Sequence, residues 1–274
     1  MTGPRTIVVT GASSGIGLAA AEQFAARGDR VVLVGRDKRR LAAAVDRVRA
    51  AGGGTEPGHV RVDFERFADV QALAEHLLST YPQIDVLANN AGMLAMARRL
   101  TVDGNEATIQ ANHLGPFLLS ALLRDRLRGG RIVNTSVRPA RNARLDPDDL
   151  NGEARRYNGV TAYQSSKAAN VLFTMEAARR WPDILSLSLH PGLVRTDIGR
   201  ATALRFVFRY APFMSDPHAS ARRLVRLATA PAGELTNGAL YGADRLIRPN
   251  PRLFATDRAA RLWTASEEAV AVSQ

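Results

Sequence analysis

The chain contains no cysteine, which excludes disulfides and thiolate metal sites and makes a reducing, cytoplasmic setting the expectation. Its five histidines are scattered without ligand spacing, so no metal centre is expected. Long apolar runs are missing as well. No segment approaches the roughly 18 residues of a membrane span, and the start, MTGPRTIVVTGASS, is too short and wrongly flanked for a signal peptide. Lysine is nearly absent: Lys38 and Lys167 are the only two among 37 basic residues, which against 26 acidic ones give a net charge of +11. A surface that basic attracts nucleic acid and anionic membranes without specificity. The arginines, however, are spread through alanine-rich segments and are not interleaved with stacking aromatics. No recognition motif appears, so no specific nucleic-acid partner is expected.

What is present is 46% apolar residues over 274 positions, enough for one core and one domain spanning 1–274. Arg5 to Thr10 is a β-branched run closed by glycines, and Gly15 to Arg27 repeats apolar residues at helical spacing. Strand and helix then alternate. Val31 to Val34 is followed by a helix from Lys38 to Ala51, Val60 to Val62 by one around Ala68 to Thr80, and Ile84 to Ala88 by a long helix from about Asp103 to Leu127. Arg131 to Asn134 precedes a helix near Ala162 to Arg180, Leu185 to Leu189 precedes one near Ala219 to Ala228, and a last strand is expected around Ala239 to Tyr241. Continuous Val/Ile/Leu runs suit strands buried on both faces of a parallel sheet. The expected fold is therefore α/β: a single-domain Rossmann fold, doubly wound, with helices on both faces. Two segments interrupt the alternation as candidate substrate loops, 138–158 and 196–217, the second carrying an apolar cluster from Phe206 to Met214.

Thr10-Gly-Ala-Ser-Ser-Gly-Ile-Gly17 falls between the first strand and its helix. Glycines there let the backbone turn tightly and approach a pyrophosphate, which would sit on the N–H groups of Ser13, Ser14, Gly15, Ile16 and Gly17 at the positive end of the helix, with Gly11 opening the turn. Cofactor choice is read at the end of the second strand, where an acidic side chain would bind the ribose hydroxyls. Here Gly35 is followed by Arg36, whose guanidinium suits a 2′-phosphate, so NADP(H) is expected over NAD(H). Asp37 fits a helix N-cap. Asp63, with Phe64 after it, ends the third strand, where its carboxylate either meets an adenine amino group or caps the next helix. Asn89-Asn90-Ala91-Gly92 ends the fourth strand with small residues that let the chain pass close to the cofactor.

Tyr163-Gln-Ser-Ser-Lys167 lies in a helical pattern, so the four-residue step stacks phenol and ammonium on one face. A phenol near pKa 10 carries protons poorly at neutral pH, and the lysine charge, with an oxidised nicotinamide ring, is expected to lower it. Tyr163 would then be the general acid in reduction and the general base in oxidation.

The Gly-rich turn, Asn89 to Gly92, Tyr163/Lys167 and His190-Pro191-Gly192 occur in order at the expected points of the strand series, and together they resemble the short-chain dehydrogenase/reductase family over nearly the whole chain. Asn112-His-Leu-Gly-Pro-Phe-Leu-Leu119, Leu145 to Asn151 and Lys167 to Thr174 look like its retinol-dehydrogenase branch, which includes light-dependent protochlorophyllide reductases. The resemblance implies an oxidoreductase acting on a small apolar carbonyl or alcohol substrate, frequently as a homo-oligomer. It also implies that Asn112 helps position a water joined to Lys167, and that Pro191, Gly192, Val194 and Thr196 sit against the nicotinamide beside Tyr163 and Lys167. One position departs from the pattern. Family members typically read Asn-x-Ser-Ser where this chain reads Asn134-Thr-Ser136-Val137, so an ungapped match puts Val137 in place of the serine that polarises the substrate oxygen. Ser136 is the remaining candidate, but neighbouring strand side chains point to opposite faces. That departure motivates a second reading, an NADP(H)-binding sensor or scaffold with little or no turnover. A light-driven or isomerase-type enzyme on the same scaffold would carry similar proton-handling residues.

Overall fold

The computed structural model describes residues 3–137, 145–192, 216–242, 245–248 and 254–271. Its strands are β1 (Thr6–Thr10), β2 (Arg30–Gly35), β3 (Gly58–Arg61), β4 (Val86–Asn89), β5 (Arg131–Thr135), β6 (Leu185–His190), β7 (Leu240–Gly242) and β8 (Arg245–Ile247). They form one sheet in the order β3-β2-β1-β4-β5-β6-β7-β8. Every pairing is parallel except β7 with β8. The β-branched run that signals β1 is buried throughout, and its alternate residues feed two cores. Ile7 and Val9 pack with α1 (Gly15–Ala26), α2 (Lys38–Ala51) and α7 (Pro217–Thr229). Val8 faces the other core, built with α3 (Phe67–Thr80), α5 (Gly115–Leu122), α6 (Gly159–Arg180) and α8 (Thr256–Ala271). Strand order reverses between β1 and β4, and the crevice past their carboxyl ends is where such a sheet binds ligands.

Two expectations are corrected. The long helix from Asp103 to Leu127 is broken into a single turn, α4 (Ala107–Ile109), a π-turn over Gln110–Leu114, α5, and a 3₁₀ turn over Arg124–Leu127. Asp103 itself lies before any helix: Glu106 starts the first turn by accepting from the Thr108 and Ile109 N–H groups. Pro116 explains the π-turn. It cannot donate to the carbonyl of Asn112, Gly115 N reaches back to Gln110 O, and the orphaned Asn112 oxygen takes a 2.9 Å bond from Asn170 Nδ2 instead. The strand at the chain's end is not the last, because β8 folds back against β7. The helix α8, which the sequence reading does not include, follows and places Trp263 against Phe117, Phe173 and Trp181 with ring centroids 4.9–5.9 Å apart. Among the described residues no helix is long and apolar enough to cross a membrane, and no group of His, Cys, Asp or Glu could hold a metal ion.

Candidate functional site

The turns after β1 and β4 are locked together. Thr10, fully buried, accepts at Oγ1 from the N–H groups of Asn90 and Ala91, both at 3.0 Å, and donates to Ala88 O at 3.2 Å. A Cβ at Gly17 would stand 2.4 Å from Gly11 O and 2.6 Å from Asn90 Nδ2, so this glycine lets α1 approach the turn. Gly11 has φ 67°, a left-handed conformation that other residues avoid. At the start of α1 the N-cap Ser14 makes no side-chain capping bond, whereas α2, α6 and α7 are capped by Asp37, Asn158 and Asp216. Amide groups left without a side-chain cap at a helix start, beside closely packed glycines, fit a pyrophosphate.

At the end of β2 a Cβ on Gly35 would meet Ser13 Cβ at 3.1 Å and its Oγ at 3.2 Å, so a larger residue at 35 would displace Ser13. Arg36 is exposed, with Nη1 2.8 Å from Glu65 Oε1 and 3.7 Å from Asp63 Oδ1. Asp63 Oδ1 accepts from Glu65 N at 3.1 Å, which makes it a turn-forming carboxylate. The cap it was weighed for comes from elsewhere, since the first N–H of α3 at Phe67 donates to Asp103 Oδ2 at 2.9 Å. Phe64 is buried against Gly115.

The proton-handling residues gather behind the β4 turn. Lys167 is 2% exposed, donates from Nζ to Thr135 O at 3.1 Å, and holds its ammonium 5.9 Å from the centroid of the half-buried Tyr163 ring. A Cβ at Gly92 would come within 3.1 Å of Lys167 Nζ and 3.5 Å of Asn112 Oδ1. The Asn112 amide serves neighbouring segments: Oδ1 accepts from Met93 N at 2.7 Å, while Nδ2 donates to Met93 O and Ser166 Oγ, each at 2.9 Å. Burial pushes the Tyr163 phenol up to about 12 and the Lys167 ammonium down to about 8. In the chain by itself desolvation therefore outweighs the lysine charge, opposite to the expected lowering of the phenol.

Ser136 is 1% exposed and its Oγ donates to Lys167 O at 2.7 Å, so in this structure its proton is engaged on α6. Val137, half-buried, follows it. Pro191 O is held by Ser220 Oγ and Arg223 Nη1 of α7, both at 2.9 Å, and Gly192 turns with φ 90°. Val194, Thr196 and nearly all of 196–217 lie outside the described residues, as do 138–144. The described part of the first insertion lines a cavity of about 380 Å³ with Ile109, Leu150, Tyr157 and Ala162. Thr10, Thr135, Glu65 and Asn170 were not singled out from sequence. Each acts through a backbone oxygen or an ion pair more than 20 residues away, and local patterns do not report such contacts.

The family model described as short chain dehydrogenase matches residues 5–204. A Streptomyces sp. (strain C5) protein provisionally named daunorubicin C-13 ketoreductase DnrU is 49% identical over 266 residues, covering 97% of this chain and 92% of its own. Human retinol dehydrogenase 14 is 34% identical over 287 residues, covering 96% and 85%. Among solved structures, a blue fluorescent protein from a metagenomic library in complex with NADPH superposes with a TM-score of 0.68 at 26% identity, covering 88% of this chain and 97% of that one.

Proposed function

The chain belongs to the short-chain dehydrogenase/reductase family, and on that premise we propose that it is an NADP(H)-dependent oxidoreductase that interconverts an apolar alcohol and its carbonyl compound, with Tyr163 as general acid and base. The observation that carries this reading is the meeting of Tyr163, Lys167, Asn112 and Gly92 behind the turn that follows β4. When bound, the nicotinamide supplies or takes the hydride. In reduction Tyr163 gives its proton to the carbonyl oxygen as negative charge develops there, and the ammonium of Lys167 stabilises the phenolate left behind. In oxidation Tyr163 takes the proton back. Asn112 contributes by pinning the Met93 backbone, which keeps Gly92 against Lys167 Nζ and leaves room for a water joined to that ammonium.

Preference for NADP(H) is supported by the exposed Arg36, by the side-chain-free Gly35 packed on Ser13, and by the structural relative that holds NADPH. The two relatives named for a ketone and for retinol support an apolar alcohol/carbonyl pair. Ser136 serves as a strut between β5 and α6, which among the described residues leaves polarisation of the substrate oxygen to Tyr163. A missing polarising donor costs about 3 kcal/mol of barrier, so turnover is expected to be slow, and this is also the observation that favours the sensor reading.

The test is reduced-nicotinamide oxidation across a panel of apolar ketones, aldehydes and quinones, with cofactor binding measured in parallel. Tyr163→Phe is expected to keep NADPH binding and lower turnover by roughly 10²- to 10⁴-fold. NADPH binding with no wild-type turnover on any substrate would instead establish the sensor reading.

A further inference from the structure

Glu65 holds two arginines at once. Its side chain is 10% exposed, Oε1 accepts from Arg36 Nη1 at 2.8 Å, and Oε2 pairs with Arg99 Nη1. The two arginine side chains remain 59% and 50% exposed. Each has five N–H donors, and each commits one nitrogen to the carboxylate. Two like charges are thereby drawn onto one nearly buried anion while half or more of each arginine side chain stays open to solvent. Arg99 reaches this point from the segment after the β4 turn, where its carbonyl accepts from Ala107 N at 3.0 Å, so a third stretch of chain joins the ends of β2 and β3. Arg61 adds a positive charge, donating from Nε to Arg36 O at 3.1 Å. Three arginines against Asp63 and Glu65 leave the cluster one net positive charge, whereas a phosphate monoester carries about −1.5 to −2 at neutral pH.

We propose that Arg99 is a second guanidinium for the 2′-phosphate of NADP(H), paired with Arg36 through Glu65 and contributing to cofactor selection. This rests on the NADP(H) reading above. A phosphate bridging Arg36 and Arg99 would use the N–H donors that Glu65 does not take and leave both guanidiniums on that carboxylate.

The test measures dissociation constants of NADPH, NADH, adenosine 2′,5′-bisphosphate and 5′-AMP on the full chain, at two ionic strengths, for wild type, R36A, R99Q and R99K. A charge-assisted pair to phosphate predicts that R99Q weakens NADPH and the bisphosphate about tenfold or more. NADH and 5′-AMP should be unchanged, the salt dependence of NADPH binding reduced, and R99K should recover part of the loss. Equal losses on all four ligands would mean that Arg99 only supports the fold, and unchanged NADPH binding would mean that it does not reach the phosphate. Either result overturns the proposal while wild-type preference for NADPH stands. If wild type binds NADH as tightly as NADPH and R36A leaves both unchanged, it is the underlying NADP(H) reading that fails.

Discussion

His113 should make the fold acid-sensitive, and the structure sets both the size and the pH window of the effect. The ring is fully buried within the π-turn, with Nδ1 3.2 Å from Asn170 Oδ1 and Nε2 2.9 Å from Ser266 Oγ. Asn170 Oδ1 can only accept, so the ring donates from Nδ1, and a neutral ring keeps Nε2 as an acceptor facing the Ser266 hydroxyl, whose single proton the Leu262 carbonyl at 2.7 Å also draws. Burial lowers its pKa from 6.5 to about 4. The unfolded chain therefore binds a proton that the folded chain refuses between those values. Stability from this residue is complete above about pH 6.5 and is lost as pH falls toward 4. The depression corresponds to about 3 kcal/mol in total, a large share of the 5–15 kcal/mol typical of a folded domain. Urea unfolding at about pH 7 and about pH 4.5 would measure it in wild type and His113→Asn. Carboxylates such as Glu176, held low by Arg179 and Arg180 despite burial, titrate in both proteins and cancel in the difference. The variant should be less stable at neutral pH yet lose about 2 kcal/mol less on acidification. Parallel losses in the two proteins would refute the assignment of a neutral buried ring.

Other perturbations have distinct expected outcomes. Gly17→Ala forces a methyl into the Gly11 carbonyl and should cost about 1–3 kcal/mol in thermal or urea unfolding, with NADPH affinity falling in a fluorescence titration. Asn170→Ala removes the donor to the Asn112 oxygen that Pro116 leaves orphaned, so unfolding should become easier by about 1–3 kcal/mol. Ser136→Ala breaks one buried bond to Lys167 O and should lower stability by about 1 kcal/mol while changing turnover less than about tenfold. A hundredfold loss of turnover at unchanged stability would make Ser136 a donor to substrate.

The sheet was legible because a strand buried on both faces has to be apolar at every position. β1 and β2 satisfy this except at Thr6, Thr10 and Arg30, and the edge strand β3, whose burial alternates, shares with β4 the largest shift of limits. The segment from Asp103 to Leu127 misled for the opposite reason. Its apolar residues do recur at helical spacing, but Pro116 and the capping Glu106 act on backbone hydrogen bonds, which side-chain periodicity does not register. Pro116 was the available signal, since a proline inside a helical pattern breaks or kinks it. For α8 the signal was Ala259, Leu262, Trp263, Ser266 and Val270, all buried and spaced as one helix face.

At the candidate site, the sequence located groups better than it located their hydrogen bonds. Tyr163, Lys167 and Gly92 come together because their spacing along strands and helices is set by the sheet. Where Ser136 sends its proton is decided by how α6 lies across β5, a relation between residues 31 apart. The same packing puts Thr135 O at Lys167 Nζ and within 3.5 Å of Asn170 Nδ2, and Asn170 in turn holds the Asn112 oxygen that Pro116 frees. The proline that breaks the helix and the asparagine that receives its unpaired carbonyl thus form one device. It brings the π-turn, with Asn112 inside it, against the strand end that anchors the lysine. A change at position 170 therefore reaches the site by two routes, through the backbone of Asn112 and through the oxygen shared with Lys167, without Asn170 touching the substrate.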